Sequence, residues 1–237
     1  IQLGNAWQIE TWTPADFAKL ASRTDDVLRL KRSLQELERM ANDIPSLLPQ
    51  CRMVRAAYLA GRKRYPESIA LITGDNAYPQ ELVGWSYVQG SLARTHNQLG
   101  AYQSALELCN KALARLSEQD LDYTDMNLIL QTQLMAAVTG LGRAPEAKQR
   151  LQALLTRHLP HRGPITLGLL YEAGAQIALL EDDRVSAREH LRQMELWLRP
   201  TGIAPLIGRI DALSRTLRVL ESSERQALQR ELATSQL

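Results

Sequence analysis

Little in this chain of 237 residues is equipped for covalent chemistry. It has two cysteines, Cys51 and Cys109, too few for a disulfide framework or a four-cysteine zinc site. Both sit in apolar surroundings of helical character, where a thiol acts as a small buried hydrophobe. A reducing, cytoplasmic setting is therefore expected. Phe17 is the one phenylalanine, and aromatics make up 5% of the chain, so a core must come from Leu, Ala, Ile and Val. No apolar run approaches the roughly 20 residues of a membrane span. Sustained alternation of β-branched and polar residues is missing, which argues against sheets. Charge of one sign is missing too. With 28 basic and 26 acidic residues the net charge is +2, and nucleic acid is not an expected partner. There is no P-loop, no G-x-G-x-x-G after a strand, no G-x-S-x-G and no H-E-x-x-H. The start, IQLGNAWQIETW, has no initiator Met, basic n-region or apolar core, so a fragment of a longer polypeptide is expected.

What is present is helical periodicity. Leu28, Leu30, Leu34, Leu37 and Met40 recur at helical spacing, as do Leu106, Leu113 and Leu116. Pro14, Pro45, Gly74, Pro79, Gly142, Pro160, Gly163, Pro200 and Gly202 are among the breakers. The segments between them run to roughly 12–18 residues, ordinary helix lengths. The chain also resembles itself. The stretch NQLGAYQSALELCNKALARL, residues 97–116, sets Gly100, Tyr102, Ala105 and Ala112 around a turn. Related turns precede Ser68, Ala147 and Ala187, and the steps from Ser68 through Ala105 and Ala147 to Ala187 are 37, 42 and 40 residues. Forty residues back from Ser68 lies Leu28, and forty on from Ala187 lies Ala227. Each unit reads as helix, turn, helix. Gly100 can end one helix in a left-handed conformation, Tyr102 can fill the angle, and alanines two turns apart admit a neighbouring helix.

At Leu92, Ala93, Gly100, Tyr102, Ala105 and Ala112 the sequence resembles the tetratricopeptide repeat family. Residues 128–155 keep Leu134, Gly142, Ala147 and Leu154, while the unit around Ala187 has Asp182 in place of the turn glycine. The family period is about 34 residues. The longer step here is similar to degenerate arrays in large bacterial regulators, such as ATPase-type transcription activators and protein kinases with helical arms. The resemblance implies an all-α fold: a right-handed superhelical solenoid of about six antiparallel helix pairs. It would form one domain over 1–237, with units near 1–48, 49–85, 86–125, 126–164, 165–202 and 203–237.

The candidates for chemistry are few. His158 and His161, in RHLPHRG, are the one close histidine pair, and Pro160 between them predicts a solvated loop. Two ligands on one loop make at most half a zinc site. DLDYTD, from Asp120 to Asp125, fails as a calcium loop because its sixth residue is Asp125 and its twelfth is Gln131. It reads better as a helix entry capped by Thr124 or Asp125. Arg62, Lys63 and Arg64, with Arg52 and Arg55, read as cations at a helix C-terminus. No catalytic residue, metal or cofactor is expected, and the chain is not expected to be an enzyme.

The resemblance implies a binding role through the first helix of each pair. The groove candidates carried over are Tyr87, Arg94, Asn97 and Gln98, then Thr132, then Glu172 and Gln176. Further inward positions are Met53, Ala57, Ala60, Gly90 and Ile129. The expected function is a protein-interaction or ligand-sensing module that holds a partner segment or small effector and biases an attached effector domain. The expected partner is a protein or peptide, with a small-molecule effector or self-association as further options. The alternative is a structural scaffold within an assembly.

Overall fold

The computed structural model describes residues 14–81, 84–116, 124–161 and 163–234. Asp120–Tyr123 of the DLDYTD stretch lie outside the described residues, as does Arg162. The described residues form eleven α-helices and no strand. In chain order they are α1 (Pro14–Arg23), α2 (Val27–Asp43), α3 (Leu48–Gly61), α4 (Tyr65–Ala70), α5 (Trp85–Gln98) and α6 (Tyr102–Leu113). There follow α7 (Thr124–Gly140), α8 (Ala144–His158), α9 (Pro164–Leu180), α10 (Arg184–Leu198) and α11 (Ala204–Thr234). The chain divides into two compact units, Ile1–Ala137 and Val138–Leu237, with the division inside α7.

Five connections share one geometry. Asp25, Lys63, Gly100, Gly142 and Asp182 all have positive φ, between 57° and 78°. In each case the next residue donates its N–H back to a carbonyl five residues earlier: Asp26 to Ala21, Arg64 to Leu59, Ala101 to His96, Arg143 to Val138 and Asp183 to Ala178, at 2.8–3.0 Å. In four of them the left-handed residue itself donates to the carbonyl three residues earlier, as Gly100 does to Asn97 at 3.0 Å. This is the Schellman arrangement, which satisfies helix-end carbonyls and turns the chain sharply into the next helix. The steps from 25 to 63, 63 to 100, 100 to 142 and 142 to 182 are 38, 37, 42 and 40 residues. The repeat read from Gly100, Tyr102 and Ala105 is thus a repeat of backbone conformation.

The residue five places after each left-handed position is buried every time: Leu30, Ser68, Ala105, Ala147 and Ala187. Ser68 survives there because its hydroxyl donates to the Ala56 carbonyl at 2.8 Å. The first unit corrects the sequence register. Leu28, reached by a step of forty, is 73% exposed, and Leu30, 2% exposed, takes the place because the actual step is shorter. The end of the chain also differs. Where the repeat predicts a helix pair over 203–237, Ala204–Thr234 is one continuous helix. No left-handed residue interrupts it among the described residues.

Three turns place a non-glycine residue where a Cβ is disfavoured. Asp182, at φ 61°, pairs with Arg184, but its carboxylate is 74% exposed and such exposure makes the pair weak. Asp182→Gly is therefore expected to stabilise the chain by about 0.5–1 kcal/mol, measured as a raised denaturant midpoint. A lowered midpoint would show that the Arg184 contact outweighs the backbone strain.

In the first unit α1, α2 and α3 pack mutually, α3 packs on α4 and α5, and α5 packs on α6. The apolar stripe of α2 is Leu30, Leu34, Leu37 and Ala41, one helical face, and all four are buried. Asp26 caps that helix by accepting from the Arg29 N–H at 3.0 Å. In the second unit α9 packs on α8 and α10, and α10 on α11. Met194, Leu198, Leu206 and Ile210 form its innermost cluster. Asp183 caps α10 through the Ser186 N–H at 3.0 Å.

Candidate functional site

The first unit contains a cavity of about 270 Å³. Its floor is apolar: Leu30 from α2, Met53, Ala56, Ala57 and Ala60 from α3, Ile72 after α4, and Val88 from α5. Three alanines on one side of α3 create the space, since any larger side chain there would fill it. The rim is polar. Ser22 comes from the last turn of α1, Asp25 from the α1–α2 turn, Lys63 from the α3–α4 turn, Tyr65 from α4, and Ser91, Arg94, Thr95 and Gln98 from α5. Two of the five Schellman turns therefore supply charged residues to one rim.

The Arg94 guanidinium lies 2.8 Å from Asp25 Oδ1 and donates to Oδ2 at 3.0 Å. It also donates to the Ser22 carbonyl at 3.3 Å. Arg94 thereby ties α5 to the first turn, and its charge is matched by Asp25. Lys63 is exposed and has no acid partner among the described residues. Its neighbour Arg64 is already taken by Glu67, which pulls the Glu67 carboxyl below its ordinary pKa through that hydrogen bond. The Thr95 hydroxyl donates to the Ser91 carbonyl of its own helix at 3.0 Å, while the Ser91 hydroxyl is buried without a partner among the described residues.

The residues singled out from sequence divide between the two units. Arg94 and Gln98 line the cavity, together with the inward positions Met53, Ala57 and Ala60. Tyr87 is buried, with its hydroxyl 3.5 Å from the Lys19 carbonyl. Asn97 donates to the Gln133 carbonyl at 2.9 Å and to its side-chain oxygen at 3.1 Å, joining α5 to α7. Thr132 is half-buried and donates to the Ile129 carbonyl of its own helix at 3.1 Å. Gly90 and Ile129 also face each other: a Cβ on Gly90 would come within 2.6 Å of Ile129 Cγ2. In the second unit Glu172 is buried against Arg209, at 2.9 and 2.5 Å, and Gln176 is exposed. Tyr87, Asn97, Gly90, Ile129 and Glu172 thus join helices within their own units. The reason is local: the faces of α5 that carry Gly90 and Asn97 meet α7, and the face of α9 that carries Glu172 meets α11, so these residues are occupied by another helix.

Two residues of the cavity, Asp25 and Ser22, have no signal in the sequence. They lie at the end of α1 and in the turn that follows it, which carries no glycine, tyrosine or alanine signature. Lys63 is visible as a basic residue at a helix end. Its occupation of the left-handed position of a turn, which carries it to the rim, is not.

The remaining candidates resolve simply. His158 does not lie in a solvated loop: it closes α8 and is 5% exposed, whereas His161 is exposed. A short 3-10 turn over Leu159–His161 follows directly on α8, and the apolar face of α8 draws the His158 imidazole inward. Among the described residues no group of three or more His, Cys, Asp and Glu side chains gathers to hold a metal ion. Cys51 and Cys109 are buried free thiols, and burial pushes the Cys51 thiol above its ordinary pKa. Of the basic residues, Arg55 pairs with Glu38 at 2.5 Å, Arg143 with Glu146 at 2.5 Å and Lys148 with Glu181 at 2.5 Å. These pairs disperse both basic stretches. No described helix is long and apolar enough to cross a membrane. No protein-family model, curated protein or solved structure matches the chain.

Proposed function

We propose that the chain is a non-catalytic helical-repeat binding module of the tetratricopeptide kind, and that the cavity of its first unit is a binding site. The observation that carries this reading is the convergence of two repeat turns, at Asp25 and Lys63, on one apolar cavity with a polar rim. Ligand sites in proteins are typically concave, largely apolar and fitted with a few placed polar groups. At about 270 Å³ the cavity admits a small effector or one large side chain of a partner segment. The five like turns support the finer reading of the fold, a right-handed superhelical solenoid with hairpins as its units; a cytoplasmic regulatory protein is the setting proposed for it. Binding would stiffen α3 and α5 against the first hairpin and so bias an attached effector domain.

Ala57→Phe tests this reading, because Ala57 is half-buried on the cavity wall and a phenyl ring would occupy the space. A ligand-observed NMR screen of small fragments is expected to give hits on the unaltered chain that disappear in Ala57→Phe. Circular dichroism should show the variant still helical. Hits that persist in the plugged variant, or no hits at all, would remove the cavity from consideration.

The scaffold reading keeps one observation of its own. Leu180, Val185, Leu196 and Val219 of the second unit are large apolar side chains, each 59–74% exposed. Solution mass over a range of concentrations distinguishes the two, a monomer at all concentrations counting against self-assembly.

A further inference from the structure

We infer that the cavity's ligand is a small aliphatic carboxylate, with its chain on the alanine and methionine floor and its charge at Lys63. The inference rests on the proposed binding role and adds the chemical class. The size of the ligand follows from the volume. An apolar cavity of about 150 Å³ takes a benzene ring, so a space of about 270 Å³ admits a body of five or six carbons with one head group. The apolar character follows from Met53, Ala57, Ala60 and Val88, which offer such a chain no hydrogen bonds and bury it.

The charge follows from counting the rim. Its ionised residues are Asp25, Arg94 and Lys63. Asp25 and Arg94 hold each other in a two-oxygen contact and cancel. Lys63 remains, with no acid paired to it among the described residues, while its neighbour Arg64 is taken by Glu67. The one rim charge left without a counter-charge among the described residues is a cation, and an anion is its complement. Lys63 holds φ 60°, the position filled by Gly100 and Gly142 in two turns and by Asp25 and Asp182 in the other two.

The test uses the full chain and three probes that share one body: hexanoate, hexan-1-ol and hexylammonium, titrated at pH 7 and followed by amide NMR shifts of Ser91 and Thr95. Hexanoate is expected to bind about tenfold tighter than hexan-1-ol, with hexylammonium the weakest. Lys63→Met should bring hexanoate down to the level of hexan-1-ol and leave hexan-1-ol unchanged. Ala57→Phe should abolish both. Equal affinity for hexanoate and hexan-1-ol in the unaltered chain would overturn the carboxylate assignment while leaving the cavity a binding site. So would preference for hexylammonium, or indifference of hexanoate to Lys63→Met. Failure of all three probes at millimolar concentration would overturn the assignment, whereas the cavity reading falls only if the wider fragment screen also fails.

Discussion

Glu172→Ala is expected to destabilise the second unit by about 3 kcal/mol, the low end of the cost of breaking a buried ion pair. Glu172 is the only charged residue of α9, whose sequence PITLGLLYEAGAQIALL is otherwise apolar, small or uncharged. Its carboxylate receives Arg209 from α11 through two hydrogen bonds, Nε at 2.9 Å and an Nη at 2.5 Å. The side chains are 10% and 21% exposed, so water screens the pair poorly. Alanine removes both acceptors, leaving a guanidinium against an apolar helix and a gap where the carboxylate stood. The low end applies because Arg209 retains some access to water. Amide hydrogen exchange suits the measurement, since it reports each unit separately. Protected amides of α9 and α10 should exchange about a hundredfold faster, at tenfold per 1.4 kcal/mol, and those of α2 and α3 should not change. The double variant Glu172→Met with Arg209→Met should recover part of the loss, because an apolar pair leaves no charge uncompensated. A cost below about 0.5 kcal/mol for Glu172→Ala would place this pair with ordinary surface ion pairs.

The same residue marks the boundary of what can be read from the amino acids alone. Gly100, Tyr102 and Ala105 announce a turn because each serves a local need: a positive φ, a filled angle and a small contact. Such needs are met within about ten residues, so they leave a local trace. All-helical architecture is legible for the same reason, through the 3.6-residue periodicity of Leu30, Leu34, Leu37 and their counterparts. The first turn leaves no trace because Asp25 meets the backbone requirement without glycine. Partnerships leave none either. Arg94 finds Asp25 69 positions away and Arg209 finds Glu172 37 away, distances fixed by which helices become neighbours. The repeat pattern sets Arg94, Asn97 and Glu172 on inward faces as polar residues. Whether an inward face meets ligand or helix depends on the adjoining hairpin, and no local pattern decides that. Lys63 makes the point in reverse: its charge is plain, but its position on the rim depends on a backbone conformation usually left to glycine.

Gly168→Ala is expected to cost the second unit about 3 kcal/mol, although the same substitution in an ordinary helix is favourable. Alanine exceeds glycine in helix propensity by about 1 kcal/mol, so packing must reverse the sign. At Gly168 an added Cβ would stand 2.2 Å from Leu198 Cδ2 and 2.3 Å from Leu198 Cγ. A clash at Cγ cannot be relieved by turning the tip of the side chain. Leu198 is fully buried in one cluster with Met194, Leu206 and Ile210, so it has no empty space to enter. The remaining response is to move α9 away from α10. That would also disturb Gly174, where an added Cβ would stand 2.7 Å from His190 Nδ1. Two close approaches on one helix pair make the shift expensive, at the upper end of the usual overpacking cost. Gly208→Ala is the matched control. Gly208 lies in α11, and a Cβ there meets nothing within 4 Å. It should gain about 0.5–1 kcal/mol from propensity alone. Denaturant unfolding of the two variants, followed by helical ellipticity, should therefore shift in opposite directions. Adding Leu198→Ala to Gly168→Ala should cost less than the sum of the single changes, because the shortened side chain makes room for the methyl. If Gly168→Ala and Gly208→Ala shift stability alike, the close approach of α9 and α10 is not what holds the second unit together.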